Sequence, residues 1–240
     1  RSHGEGFINT SAEALMNSGR EVLNYGIIPT PTAQFLVERN GMAGGIVITA
    51  SHNPTEWNGL KFIDSDGCFL DGGKNKRLFE IADTDVHPPI KLGTITNIID
   101  GCAPHINHTL KLSVIDTQEI ANRNFTIVVD AVNGAASSAL PALIEVLGCK
   151  VHRLHCESNG TFPRGPEPLS HNLKQLGEAV IAHEADAGFA TDPDGDRLAV
   201  VDEKGQPLSE DYTLTICADG FLSTATFKTP LVTNLSTTMA

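Results

Sequence analysis

The chain has 240 residues, 40% of them hydrophobic, which is enough for a substantial core in one large or two ordinary domains. A formal net charge of −12 and the lack of any Lys/Arg run speak against a nucleic-acid partner, and no apolar run reaches the roughly 20 residues of a membrane span. Five scattered cysteines without a C-x-x-C fit a reducing cytoplasm better than a disulfide scaffold. The sequence opens without a Met and without the charged start and apolar stretch of a secretory signal, and reads as an incomplete or processed chain.

Along residues 8–25 the apolar positions Ile8, Ala12, Leu15, Met16, Val22 and Leu23 recur at helical spacing and predict a helix. Ile27-Ile28 and Pro29-Thr30-Pro31 follow, then a second helix over 32–39 stopped by Asn40-Gly41, then an apolar strand over 45–49. This order suggests an α/β layered unit. Residues 83–108 are rich in Pro, Gly, Asn and His with little periodicity and read as a linker or domain edge. A second unit starts near Leu110 with a β-α-β-α-β rhythm. It has strands over 126–130, 150–155, 187–190 and 198–202, helices over 136–147 and 173–184, and a hairpin turn at Glu203-Lys204-Gly205-Gln206. A further helix over 210–222 and a strand over 229–232 suggest the start of a third unit.

Two loops concentrate chemistry. In Asp192-Pro193-Asp194-Gly195-Asp196-Arg197, Pro and Gly forbid a helix, and alternate carboxylates on a loop can face one centre. Three such anions repel unless a hard cation sits among them, and Mg²⁺ suits these oxygens while keeping open positions for phosphate or water. Arg197 adds a planar cation suited to phosphate. Three other readings stay open. An EF-hand would put Asp at its first, third and fifth positions, but Arg197 stands where its sharp turn needs Gly. A D-x-D-G phosphatase loop would make the first Asp a nucleophile. An acidic turn could also simply be solvated.

The other loop follows the strand over 45–49, where α/β proteins put their sites, so Ser51 is expected to be presented at a sheet edge. His52 can act as a base or donate to phosphate, Asn53-Pro54 fixes the turn, and Asn58-Gly59 can bring Lys61 back towards Ser51. The plain alternative is a strand-end loop in which Ser51 caps a backbone group. A hydrolase dyad between adjacent Ser51 and His52 is disfavoured, because such partners normally come from different segments. His152-Arg153-Leu154-His155-Cys156 places its two histidines on opposite faces of a strand, which disfavours a metal site. Asn133-Gly134-Ala135 reads as a helix-start turn rather than a dinucleotide loop. Cys149 and Cys217 read as core residues.

Thr49-Ala50-Ser51-His52-Asn53-Pro54 with Asn58-Gly59-Leu60-Lys61 resembles the phosphoserine loop of the α-D-phosphohexomutases, and Asp192 to Arg197 resembles that family's metal loop. Gly26 to Pro31 is similar to its segment before the serine loop. Phe162-Pro163 through Pro166-Glu167-Pro168, with Asn172-Leu173, is similar to its segment before the metal loop. The resemblance covers nearly the whole chain. It implies two consecutive α/β mixed-sheet domains, 1–108 with the phosphoserine loop and 109–212 with the metal loop, and the beginning of a third at 213–240. The family's opening strand with its arginine motif is expected to be missing, as are the rest of domain three and domain four, so that the fragment alone is expected to be weak or inactive in turnover.

By the same resemblance Ser51 carries a phosphoryl group, and Mg²⁺ is held by Asp192, Asp194, Asp196 and a phosphoserine oxygen. His52, Lys61 and Arg197 serve catalysis. The implied reaction interconverts hexose 1-phosphates and 6-phosphates through a 1,6-bisphosphate, which also acts as activator. Pro54 to Asn58 and Pro166 to Leu169 resemble phosphoglucosamine mutase-like members more than glucose-specific ones. The phosphomannomutase/phosphoglucomutase type is the alternative, and a fragment that binds Mg²⁺ and phosphosugar without turnover is a reading from another class. A phosphosugar substrate, a homodimer and a cytoplasmic location complete what the resemblance implies.

Overall fold

In a computed structural model of the chain, residues 1, 3–84, 92–208, 210–224 and 230 are described. The first part opens with α1 (Gly4–Asn17), β1 (Glu21–Asn24), α2 (Thr30–Arg39), β2 (Gly44–Ile48), β3 (Leu60–Asp64) and α3 (Gly72–Ala82). It continues with β4 (Thr94–Asn97), α4 (Ala103–Thr109) and α5 (Thr117–Arg123). Pro31 in the first turn of α2 has no amide to leave unpaired there, and Asp71 caps α3 by accepting from the Lys74 amide at 2.8 Å. The four strands make two separate ladders, β1 parallel to β4 and β2 antiparallel to β3.

The second part alternates β5 (Thr126–Asp130), α6 (Ala136–Val146), β6 (Lys150–Leu154), α7 (Lys174–Ala182), β7 (Ala187–Thr191) and β8 (Leu198–Val201), followed by α8 (Glu210–Thr224). Its strands form one mixed sheet in the order β6-β5-β7-β8, parallel except for β8. Successive residues of β5 serve opposite faces, as the pleat requires. Val128 joins Leu173, Leu176, Val180, Ala190 and Val201 beneath α7. Ile127 and Val129 join Ile144, Leu140 and Phe189 beneath α6. From β5 the chain steps outward to β6, then crosses back to β7. The carboxyl ends of β5 and β7 therefore flank the crevice where such sheets bind ligands.

Most elements of the second part match the expectation within a residue or two. In the first part three do not. The helix expected over 8–25 ends at Asn17, because the chain turns at Ser18-Gly19; Val22 and Leu23 lie in β1. Ile27-Ile28 forms no strand, and Ile27 is 57% exposed. The region read as a linker contains β4 and α4. All four residues of β4 are exposed, so it carries no hydrophobic signature for a sequence reading to detect. Cys217 is exposed on α8, not part of the core. The strand expected over 229–232 falls outside the described residues.

Candidate active site

The acidic loop grows from the end of β7. Asp192 is fully buried, and its Oδ1 accepts the amides of Asp196 at 3.1 Å and Arg197 at 3.2 Å, which curls the loop around it. Pro193 presents its carbonyl to the Ala135 amide at 2.7 Å, tying the loop to the turn before α6. Gly195 has φ +71 and backs onto Pro29 and Ala136 so closely that a Cβ would lie 3.1 Å and 3.3 Å from theirs; glycine meets both demands. Asp194 is held by Thr30 from α2, whose amide donates to the Asp194 carbonyl at 2.8 Å and whose hydroxyl donates to Oδ2 at 2.9 Å.

The serine loop leaves β2. Thr49 is buried, and its hydroxyl accepts the Ser51 amide at 2.9 Å. Asn53 closes the turn by donating to the Ala50 carbonyl at 3.0 Å. Ser51 itself sits at φ 46, a left-handed conformation that costs a non-glycine residue roughly 1–3 kcal/mol and recurs at functional positions. Its hydroxyl donates to Asp192 Oδ2 at 3.1 Å, across 141 positions of sequence. The β2–β3 ladder pairs Lys61 with Val47, and the Lys61 ammonium lies 2.7 Å from Asp194 Oδ2 and 3.4 Å from Asp196 Oδ2.

The protonation pattern follows from this crowding. Burial, reinforced by Asp194 and Asp196 opposite, pushes the Asp192 carboxyl up to about 7. Burial also opposes ionisation of Asp194, but hydrogen bonds from Asp192 and Lys61 outweigh it and hold that carboxyl below its ordinary value. Partial burial disfavours the Lys61 ammonium, yet its bond to Asp194 more than offsets this and raises its pKa.

Asp192, Asp194 and Asp196 each offer a carboxylate oxygen, and the three lie within 4.8 Å of one another. Asp194 Oδ1 is buried with no hydrogen-bond partner among the described residues. An all-oxygen donor set with one orphaned buried oxygen and one carboxyl driven towards protonation fits a hard divalent cation such as Mg²⁺.

Of the residues singled out in the sequence, Ser51, Lys61 and the three aspartates therefore come together. Arg197 contributes its amide to Asp192, while its guanidinium is paired with Glu167. His52 makes no side-chain hydrogen bond among the described residues, and its Nδ1 is buried. Two participants escaped the sequence reading. Thr30 was visible only as part of the Gly26–Pro31 segment. Arg1 donates to the carbonyls of Ser51 at 2.9 Å and Asn53 at 2.7 Å and lies over the Phe162 ring, so an arginine does reach the serine loop.

Known proteins bear the same two parts. The family models for phosphoglucomutase/phosphomannomutase match this chain, alpha/beta/alpha domain I over residues 1–87 and alpha/beta/alpha domain II over 103–205. Over 225 residues the chain is 36% identical to a phosphoglucomutase/phosphomannomutase of Thermococcus kodakarensis, covering 92% of this chain and 49% of that protein. It is 30% identical to a phosphoglucosamine/phosphogalactosamine mutase of Sulfurisphaera tokodaii, over 86% of this chain and 46% of the relative. A crystal structure of a phosphoglucomutase/phosphomannomutase family protein from Burkholderia thailandensis superposes with a TM-score of 0.69 at 28% identity, covering 90% of this chain and 47% of that one. The chain belongs to the phosphoglucomutase/phosphomannomutase family, with two of its α/β domains. It spans about half the length of the curated relatives it matches. Among the described residues no helix is long and apolar enough to cross a membrane.

Proposed function

We propose that this chain carries the phosphoryl-transfer centre of a phosphosugar mutase, with Ser51 as the residue that holds the phosphoryl group. The observation that carries this reading is the meeting of the Ser51 hydroxyl with Asp192, at the rim of a three-carboxylate site that also holds Lys61. A serine there has an acceptor for its proton, a strained loop that fixes its direction and a cation beside it.

The reaction runs in two transfers. Phosphoserine 51 gives its phosphoryl group to the free hydroxyl of a hexose 1- or 6-phosphate, forming the hexose 1,6-bisphosphate; the hydroxyl's proton leaves as the new P–O bond forms and the serine oxygen departs. The bisphosphate, bound in the opposite sense, then returns its other phosphoryl group to Ser51. Free hexose 1,6-bisphosphate charges the serine and so acts as activator. Phosphoryl transfer depends mainly on in-line placement and neutralisation of oxygen charge. Mg²⁺ held by Asp192, Asp194 and Asp196 would supply that neutralisation. Lys61, 2.7 Å from Asp194, balances the acidic loop and stands ready for the phosphoryl oxygens. Arg1 clamps the carbonyls on both sides of His52 and keeps the Ser51 turn in place. His52 and Lys61 are the groups offered for proton transfer at the sugar hydroxyl.

Glucosamine phosphate is the sugar this reading favours, supported by the 30% identity to the Sulfurisphaera amino-sugar mutase. A mannose- or glucose-phosphate activity is the second reading, supported by the 36% identity to the Thermococcus protein. Coupled assays of the full-length protein with glucosamine, mannose and glucose 1-phosphates separate them. The highest kcat/KM is expected for the amino sugar, a clear preference for mannose or glucose selects the second reading, and no turnover of any of the three contradicts the mutase reading.

A further inference from the structure

The segment between β6 and α7 holds a buried charge network that the transfer chemistry does not use. The Arg164 side chain is 5% exposed and that of Asp130, at the end of β5, 1%. Arg164 Nε donates to Asp130 Oδ2 at 2.8 Å, and its second terminal nitrogen donates to the Thr191 carbonyl at 2.7 Å. Thr191 is the residue immediately before Asp192. One guanidinium therefore spans the crevice between β5 and β7 and grips the root of the acidic loop. Asp130 is itself fixed by the Val132 amide at 2.9 Å, with His155 Nδ1 3.3 Å away.

Three residues further on, Glu167 pairs with the guanidinium of Arg197, the residue immediately after Asp196. The spacing between the two grips is built in. The Asn172 amide donates to the Glu167 carbonyl at 2.9 Å and packs so close to Gly165 that a Cβ there would lie 2.4 Å from its nitrogen.

We infer that the segment 164–167 is a bracket for the acidic loop, with Arg164 and Glu167 as positioning residues that set the separation and direction of the Asp192, Asp194 and Asp196 carboxylates. A fully buried ion pair is a poor source of net stability, because desolvation cancels most of its attraction. What Arg164 supplies that an apolar pair would not is a directed bond to Thr191. Only the planar fork of arginine reaches a carboxylate and a carbonyl at once; lysine offers a single point charge. The inference rests on the reading of the loop as a divalent-cation site.

The test is calorimetric Mg²⁺ titration of the folded protein, with circular dichroism and melting recorded without metal. Arg164→Lys keeps the charge beside Asp130 but loses the fork, and Mg²⁺ affinity is expected to fall about 10- to 100-fold while the metal-free fold persists. Glu167→Gln, at the more exposed end, is expected to lower it by a smaller factor. If Arg164→Lys does not fold, Arg164→Met/Asp130→Leu replaces the buried pair with apolar side chains and is expected to show the same loss of affinity. Asp192→Asn separates the two levels. If wild type binds no Mg²⁺, or Asp192→Asn binds it as well as wild type, both the cation-site reading and the bracket fall. If Asp192→Asn loses binding while a folded Arg164 variant stays within about twofold of wild type, against the tenfold or more that loss of a supporting contact brings, the bracket alone falls.

Discussion

The two loops of the site stand on unlike foundations. The acidic loop leaves a four-stranded sheet packed on both faces, with Val128, Val129, Leu173, Leu176, Val180 and Val201 all buried beneath helices. The serine loop leaves a two-stranded ladder in which only Ile63 is fully buried. Two strands alone are marginal in water, so the serine loop draws its placement from contacts outside its own ladder. Those contacts are polar and reach the acidic loop: Ser51 to Asp192, Lys61 to Asp194, and Thr30 of the neighbouring α2 to Asp194. One half of the site is preset by packing. The other is set against it by charge and hydrogen bonding, and is therefore the half that pH, metal and phosphorylation will move.

Substitutions can break or sharpen that contrast. The largest effect is chemical: Asp194→Ala removes the carboxylate that both Thr30 and Lys61 hold, and Mg²⁺ binding by calorimetry is expected to fall below detection while circular dichroism still shows the β5–β8 sheet. Next comes packing. Leu176→Ala in the second part is expected to cost about 2–5 kcal/mol in denaturant unfolding, whereas Ile95→Ala on exposed β4 should cost ~0.5 kcal/mol or less. Equal costs would contradict the contrast.

A smaller effect is expected at the junction. Thr30→Val removes a buried hydrogen bond to a charged carboxylate and should cost about 1.5–3 kcal/mol, less than the cavity variant if Lys61 keeps Asp194 satisfied.

The gentlest probe is pH. Asp192 is raised to about 7, so the native protein binds more protons than the unfolded chain between about pH 4 and 7. Without metal, this group's contribution is fully present below about pH 4 and is lost as pH rises through about 7. Mg²⁺ needs the ionised carboxylate, so its affinity should rise over the same interval and level off above it. Asp194, held low, works in a separate acid window and loses its contribution only below the ordinary carboxylate range. Melting curves at several pH values, with and without Mg²⁺, check both signs; a flat Mg²⁺ affinity between pH 5 and 8 would contradict the placement of Asp192.

How much of this could be read from the chain follows the same division. The second part was legible because its strands are short, continuous apolar runs buried on both faces, such as Ile127-Val128-Val129, between helices with clear stripes. In the first part β4, Thr94-Ile95-Thr96-Asn97, is exposed throughout and carries no such mark, and Val22 and Leu23 fitted a helix as well as a strand. Ser51, Lys61 and the aspartates were found because their loops have distinctive local sequences. Thr30, Arg1, Arg164 and Glu167 were not assigned roles. Thr30 meets Asp194 across 164 positions and Arg1 meets Ser51 across 50, and nothing local to either residue announces the partner.

The central claim is that Ser51 carries the phosphoryl group beside the acidic loop. Intact mass with phosphopeptide mapping, before and after incubation with a hexose 1,6-bisphosphate and Mg²⁺, tests it most directly. One phosphate on Ser51, absent from Ser51→Ala and dependent on Asp192, is the result predicted. A full-length protein that remains unmodified under the same treatment, or that takes phosphate at another residue, would contradict it.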